Sequence, residues 1–469
     1  MNKSSRLNVK NIIDENDIFN TLKETRNSTK ENILKILRKA GQKKGLSLKE
    51  AGSLLNVENP KLIETMFEAA GKIKKEIYGE RLVFFAPFYI SSYCINDCEY
   101  CGFHFRNRAP RKKLTRKEVI EQVEILENMG HKRLLLEFGE HPTENPIDYV
   151  VDVIKTIYSA KSGKGAIRRV NVNIAATTVE NYKKLKKAGI GTYQLFQETY
   201  HRPTYENVHT GLKRDYERQL FAHDRAISAG IDDFGLGVLF GLYDYKFEVL
   251  GLLSHARYLN KKYEIGPHTI SVPRFQPADT VAWTKAPHQV SESELLKIIA
   301  ILRMAVPYTG MIISTRESPE IRAKAFKIGI SQTSAGSQTA VGGYNKKTQK
   351  SKINVSQFHV QDERNLDEVL KSALRQGLLP SFCTACYRRG RTGKTFMKIA
   401  KHGDIQRLCR PNAILTLKEY LEDYASKKVK QMGEKTISNY IEKIDDNNLR
   451  AQTKIRLERI ENGERDIYF

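Results

Sequence analysis

The chain has one tryptophan, six cysteines and no apolar run of membrane-spanning length among its 469 residues. A transmembrane helix needs about 20 consecutive apolar residues, so the sequence predicts no membrane span. Six cysteines are too few for a disulfide scaffold in a chain of this size. The opening Met-Asn-Lys-Ser-Ser-Arg lacks the apolar core of a secretory segment, and the expectation is a cytoplasmic protein with reduced thiols. Acid is scarce too: 54 Asp and Glu stand against 78 Lys and Arg, a formal net charge of +24. Such an excess can mark a nucleic-acid surface. Here the lysines are spread over many segments, several of them amphipathic, so a solvated basic surface is favoured and an RNA substrate comes second. The remainder, 40 % hydrophobic and 28 % charged, describes a folded globular chain.

Half of the cysteines stand in one stretch, as Cys94-x3-Cys98-x2-Cys101, with Tyr100 just before the third. Thiolates at such spacings hold iron–sulfur clusters. A zinc site usually pairs Cys-x2-Cys with a distant second pair, and the x3 gap fits that poorly. Three thiolates can ligate three irons of a cubane 4Fe–4S cluster, leaving the fourth iron open to a small molecule. The other three cysteines repeat the arithmetic: Cys383-x2-Cys386, then Cys409 after 22 residues.

Residues 1–80 read as helices, with Ile33, Ile36 and Leu37 at helical spacing and Ser47 and Asn59 as N-caps. From Leu82, short apolar runs alternate with amphipathic stretches. The runs are Leu82–Tyr89, Arg133–Phe138, Val170–Ala175, Thr192–Gln197, Asp233–Phe240, His268–Arg274, Gly310–Thr315 and Ile328–Ser334. The intervening stretches include Arg116–Met129, Asp215–Ala229 and, after the last run, Asn365–Gln376. Eight such units predict an α/β fold, a complete (β/α)8 TIM-type barrel over residues 81–378. A helical region (1–80) would precede it and a helical C-terminal iron–sulfur domain (379–469) would follow. Active-site groups of such barrels sit at the C-terminal strand ends, and Cys94–Cys101 follows the first strand.

Other candidates lie at those ends. Gly139-Glu140 follows the second run, Glu198 ends the fourth, and Ser314-Thr315-Arg316 ends the seventh. A guanidinium at a barrel mouth suits bidentate carboxylate recognition; a rim ion pair is the plain alternative. Gly235 and Gly237 within the fifth run mean either tight packing or a ligand lying close. Arg218, and Arg388, Arg389 and Arg391 beside the second cysteine pair, could bind anions or stand in surface pairs. His268 opens the sixth run, where a lone histidine is more often structural than a metal ligand.

The first cysteine motif, with Tyr100 in place, resembles the radical S-adenosylmethionine (SAM) enzymes. That resemblance implies that Cys94, Cys98 and Cys101 hold a SAM-binding 4Fe–4S cluster whose one-electron reduction cleaves SAM to a deoxyadenosyl radical. Glu140 would then hold the methionine amine, with Phe138 replacing the first glycine of a Gly-Gly-Glu-like motif. Glu198 would accept ribose hydroxyls and Arg218 would clamp the methionine carboxylate. The ends Gln197–Tyr200, Ser271–Arg274, Ser314–Glu317 and Ala335–Tyr344 resemble the aromatic amino-acid lyases of this group, with Arg316, beside Ser314, on the substrate carboxylate. Ser-Phe-Cys383-Thr-Ala-Cys386-Tyr-Arg-Arg-Gly-Arg-Thr-Gly together with Cys409 resembles the HydG family of FeFe-hydrogenase maturases.

This second resemblance implies cleavage of L-tyrosine to p-cresol and dehydroglycine, then carbon monoxide and cyanide for an iron–carbonyl–cyanide precursor of the hydrogenase H-cluster. It also implies a second 4Fe–4S cluster on Cys383, Cys386 and Cys409, linked to a fifth iron that carries a non-protein cysteine, with His268 as a ligand of that iron. The expected partners are an electron donor such as ferredoxin or flavodoxin and other hydrogenase maturation proteins. The alternatives are a 2-iminoacetate synthase of thiamine biosynthesis, a radical SAM enzyme modifying RNA, and an iron–sulfur scaffold without turnover.

Overall fold

The computed structural model describes residues 8–161, 163, 165–345, 356–402 and 404–469. Eight parallel strands close a barrel: β1 (Arg81–Ser91), β2 (Arg133–Phe138), β3 (Arg169–Asn173), β4 (Tyr193–Gln194), β5 (Phe234–Gly237), β6 (Thr269–Ser271), β7 (Gly310–Ile313) and β8 (Gln332–Ser334). Each pairs with the next, and β1 pairs with both β8 and β2. The (β/α)8 expectation is met.

Strands β4 to β6 are shorter than the apolar runs that foretold them. The chain after β4 stays hydrogen-bonded on one side only, Leu195 N to Gly235 O at 3.2 Å and Gln197 N to Gly237 O at 3.2 Å. The single helix expected over Asp215–Ala229 is two, Tyr216–Leu220 and Ala222–Ser228, broken at Phe221. There the Arg225 guanidinium takes the Arg218 carbonyl at 2.5 Å, a position that a continuous helix would bond with backbone.

A ninth strand, β9 (Leu379–Ser381), lies parallel to β1. β1 pairs with β9 at Arg81–Val83 and with β2 from Ala86 onward. β9 thus occupies the edge that β2 leaves free at the start of β1. The segment that leads into Cys383 is thereby tied to the N-terminal end of the barrel.

The outward faces of the strands pack against the helices through Leu134, Leu136, Val170, Val172, Leu236 and Ile270, all buried. The inside differs from a usual barrel, where bulky branched side chains fill the core. One apolar group, Phe85, Leu135 and Ile312, is joined there by Gln194, Ser271, Ser334 and Asn173. A Cβ on Gly235 would stand 2.5 Å from Thr269 Oγ1, and one on Gly237 would stand 2.4 Å from the Phe196 ring. These glycines therefore serve close packing by inward side chains. The N-terminal helices dock on the barrel's outer helix Glu292–Ala305, where buried Lys297 donates to Leu55 O at 2.7 Å and Val57 O at 2.6 Å. The tail helices Ile405–Asp423, Lys427–Ile441 and Asn447–Glu461 gather beyond β9.

Candidate active site

At the C-terminal strand ends, the loop after β1 folds onto the end of β2. Gly139 N donates to Ser91 O at 2.9 Å and Ile95 N to Glu140 O at 2.8 Å. A Cβ on Gly139 would lie 2.3 Å from Tyr93 O and 3.1 Å from Cys94 Cβ, so only glycine permits this approach. Cys94, Cys98 and Cys101 line one cavity with Glu140, Glu198 and Lys213. Cys101 Sγ accepts from Phe103 N at 3.4 Å. Burial pushes the Cys94 and Cys98 thiols up, and Cys101 to about 11. A cation at this position would reverse that, because a coordinated thiol deprotonates.

Glu140 bonds both ways: Asn96 Nδ2 donates to Oε2 and Arg218 Nη2 to Oε1, each at 2.6 Å. Glu140 and Arg218, expected to grip different groups of one ligand, here grip each other. Tyr100 is buried. His209 Nδ1 donates to Tyr205 O at 2.8 Å, so its Nε2 is the acceptor for the Tyr100 hydroxyl at 2.9 Å. Glu198 pairs with Lys213 at 2.8 Å. Burial pulls the lysine's pKa down, yet Glu198, Tyr100 and Cys98 together hold it well above its ordinary value.

Glu198 has φ +67°, left-handed backbone that a side chain rarely adopts. Buried Glu248 pins the next two residues, accepting from Thr199 Oγ1 and, at 2.7 Å, from Tyr200 N. Burial pushes the Glu248 carboxyl up to about 8.

Deeper in the barrel mouth, a second cavity is lined by Tyr89, Glu137, Glu198, Ser314, Arg316 and Phe358, and reaches Tyr100 and Cys101. The Arg316 guanidinium stacks on the Phe358 ring at 3.3 Å and makes no salt bridge among the described residues. Burial lowers its pKa. Ser314 Oγ accepts from Arg316 N at 3.3 Å. Glu137, pushed up to about 8 by burial against the pull of Arg316, shares both cavities. A half-buried unpaired guanidinium beside a carboxyl that titrates near neutrality offers complementary partners to an α-amino acid.

The opposite end of the barrel carries the other triad. Cys383 follows β9, Cys386 sits in the short helix Ala385–Arg388, and Cys409 lies within Ile405–Asp423. With Arg81, Arg133, His268 and Thr384 they line one cavity beneath the strand starts. The closeness of Cys386, assisted by Arg81, lowers the Cys409 thiol, while the same closeness and burial push Cys386 up. The three thiols in turn hold the Arg81 pKa above its ordinary value despite burial. His268 opens its strand, and that places it here: the strand starts face this cavity. Its Nδ1 meets Asp233 Oδ2 at 2.7 Å and its ring stacks on Phe396 at 4.1 Å.

Of the two readings for Arg388 and Arg389, the surface pair is the one present. Arg388 pairs with Asp466 at 2.6 Å, and both guanidinium groups lie over the Tyr468 ring. Arg391 donates to Phe469 O at 2.9 Å. They hold the tail; Arg81 and Arg133, which open β1 and β2, face the thiols. Sequence reasoning also passed over Lys213, Glu137, His209 and Glu248. The signal for the first strand pair was an arginine at the start of an otherwise apolar run.

Among the described residues no three His, Cys, Asp or Glu side chains meet closely enough for a single metal ion. A cubane spreads its thiolates over several irons, and each triad lines a cavity without a fourth cysteine. The donor sets fit iron–sulfur clusters with one open iron.

Residues 88–253 match the Radical SAM superfamily model, and 271–379 match the Biotin and Thiamin Synthesis associated domain. The chain is 31 % identical to 2-iminoacetate synthase of Salmonella typhimurium strain LT2 over 337 residues, 71 % of this chain and 86 % of that protein. The crystal structure of HydG, a maturase of the FeFe-hydrogenase, superposes with a TM-score of 0.95 at 57 % identity, covering 98 % of this chain and 100 % of that one. The chain belongs to the HydG family. A second HydG structure, the FeFe-hydrogenase maturase from Carboxydothermus hydrogenoformans, aligns at 38 % identity over 97 % of this chain and 100 % of that one, with a TM-score of 0.84. As a HydG-family radical SAM enzyme, the chain uses a 4Fe–4S cluster and SAM. No helix among its described residues is long and apolar enough to cross a membrane.

Proposed function

We propose that this HydG-family protein cleaves L-tyrosine to p-cresol and dehydroglycine and converts the latter to carbon monoxide and cyanide, delivered as an iron–carbonyl–cyanide precursor for the FeFe-hydrogenase H-cluster. One observation carries the reading: two incomplete thiol triads stand at opposite ends of one barrel whose interior is partly polar. A simple lyase, such as the 2-iminoacetate synthase relative names, has no use for the lower triad.

Cys94, Cys98 and Cys101 would hold the 4Fe–4S cluster, which with SAM would supply a deoxyadenosyl radical. Glu140 would hold the methionine amine, and Arg218, which lies against Glu140, would take the methionine carboxylate. Glu198 accepts ribose hydroxyls from a turn that Glu248 keeps in its strained form. Tyr100, its hydroxyl satisfied by His209, closes the wall between nucleoside and substrate. Arg316 takes the tyrosine carboxylate bidentately, with Ser314 beside it, and so fixes the amine toward the nucleoside. The barrel wall excludes water, which protects an unstable imine fragment.

At the lower end Cys383, Cys386 and Cys409 would hold the second 4Fe–4S cluster. Asp233 on Nδ1 of His268 fixes the tautomer and leaves Nε2 as the nitrogen that would ligate the fifth iron, which would also carry a non-protein cysteine. Arg81 and Arg133 balance the negative charge of thiolates and cyanide. Ferredoxin or flavodoxin would supply electrons, and other hydrogenase maturation proteins would receive the product.

The test is anaerobic turnover of reconstituted protein with SAM, tyrosine and reductant, beside the Cys383→Ala/Cys386→Ala double variant. Both proteins should make p-cresol and only the wild type carbon monoxide. p-Cresol without carbon monoxide from wild type with a filled lower cluster would reduce the reading to a tyrosine lyase. Untouched tyrosine would end it.

A further inference from the structure

The loop after the first triad touches the site through Phe103, but beyond it the chain turns outward. It carries Phe105, 62 % exposed, the most exposed large hydrophobic side chain among the described residues. This exposure is built. The Arg111 guanidinium donates to five carbonyls of the surrounding chain: Ser92 (3.0 Å), Phe103 (2.8 Å), His104 (2.5 Å), Phe105 (3.2 Å) and Asn107 (3.1 Å). Asn107 Nδ2 closes the loop on Gly102 O at 2.6 Å and reaches Thr280 Oγ1 at 2.9 Å.

The same loop is locked to the thiol-bearing one. Phe105 N donates to Asn96 O at 2.8 Å. Asp97, between Cys94 and Cys98, meets His104 Nδ1 at 3.0 Å, accepts from Arg106 N at 3.0 Å and pairs with the Arg106 guanidinium. An aromatic ring fixed toward water loses little entropy when a partner covers it, which is how interface anchors act.

Its surroundings are basic. From Gly102 to Lys117 the chain has seven Lys and Arg and no Asp or Glu. Arg111 is spent on the loop, but the Arg106 side chain is 77 % exposed and Arg108, Arg116 and Lys117 are exposed. Glu99 is the exposed acid of the thiol loop itself. Basic charge around a rigid apolar centre favours an acidic partner with a matching apolar spot.

We propose that this face docks a small acidic electron-transfer protein, with Phe105 as its apolar anchor and Arg108, Arg116 and Lys117 as the steering ring. The radical SAM reaction needs one electron at the Cys94–Cys98–Cys101 site. The donor's reduced centre loses that electron and the cluster gains it, with no bond made or broken. The loop follows Cys101 directly in the chain and is hydrogen-bonded to the thiol-bearing segment at Asn96 and Asp97, which joins a donor docked there to the triad. The inference rests on the radical SAM reading and not on tyrosine as substrate.

An acidic flavodoxin is the probe, with full-length reconstituted protein and the variants Phe105→Ala, Arg108→Glu and their combination. Calorimetry with oxidised flavodoxin at about 50 mM salt should show the double variant binding at least about tenfold more weakly, with wild-type affinity falling as salt rises. SAM cleavage driven by reduced flavodoxin should fall about as much, while cleavage driven by dithionite stays within about twofold of wild type. Unchanged flavodoxin affinity overturns the proposal, as does an equal loss with dithionite, which would make the loop a mere support for the cluster. Loss of RNA binding or of self-association, with flavodoxin binding intact, would assign the face to that other partner and also overturn it. Because the readout is SAM cleavage and donor affinity, a failed tyrosine assay leaves this test standing.

Discussion

The two thiol triads differ in how the chain builds them. The upper one is local: eight residues between β1 and the next turn carry all three cysteines, and Gly139 on β2 makes room for them. The lower one is assembled. A strand paired to β1 brings Cys383, a one-turn helix brings Cys386, and a 19-residue tail helix brings Cys409. A local motif needs only its loop to be correct, whereas an assembled one needs the barrel, β9 and the tail in register. The upper triad also sits among groups that pair with each other, Glu140 with Arg218 and Glu198 with Lys213. The lower triad faces arginines whose charge the thiols themselves balance.

The sharpest way to separate the two ends is to remove one thiol from each. Cys98→Ala should abolish SAM cleavage, a loss above about a thousandfold, and with it every product. Cys409→Ala should keep SAM cleavage and p-cresol formation within about threefold while carbon monoxide disappears. Equal losses at both ends would mean that the lower triad supports the fold of the whole barrel.

A smaller effect tests the mouth alone. Arg316→Ala should lower kcat/KM for tyrosine about a hundredfold, and Arg316→Lys should recover only part of it, because the planar fork is lost. SAM cleavage without tyrosine should be unchanged. If the lysine variant matches wild type, Arg316 contributes charge and not bidentate geometry.

The last test reads stability and no turnover: it concerns Glu248, which belongs to the upper end only. Burial holds its carboxyl protonated up to about pH 8 in the fold. A carboxyl so raised gives stability that is full below its unfolded pKa and is lost as pH rises through the folded value. Wild type should therefore lose up to about 1.4 kcal/mol per pH unit relative to Glu248→Gln between about pH 5 and pH 8, then run parallel to it. Denaturant unfolding of the two proteins across that range is the measurement, and parallel curves throughout would remove Glu248 as a titrating group.

Much of the molecule was legible beforehand, for identifiable reasons. The barrel could be read because alternation of apolar runs and amphipathic helices is a repeated local signal, and the upper triad because its spacing is local. His268 was the instructive case. Its position at a strand start left its reach to Cys383, Cys386 and Cys409 open as long as active sites were sought only at the strand finishes. Nothing in the residues 379–409 says which end of the barrel they cover; the β1–β9 pairing does. Arg388 and Arg389 stayed open between anion binding and surface pairs for the same reason, since their neighbours Asp466 and Tyr468 lie some 80 residues away in the chain. Lys213 and Glu248 were unreadable because Glu198 and Thr199 meet them only in the folded chain, and Arg111 because its partners are all backbone carbonyls.

β1 has one further consequence. It runs eleven residues, from Arg81 at the lower cavity to Ser91 beside the upper thiol loop, about 33 Å at the usual rise per residue. The strand acts as a ruler between the two ends. A single rod that touches both thiol sites couples their positions, so a slip in its register against β2 or β9 would displace one site relative to the other.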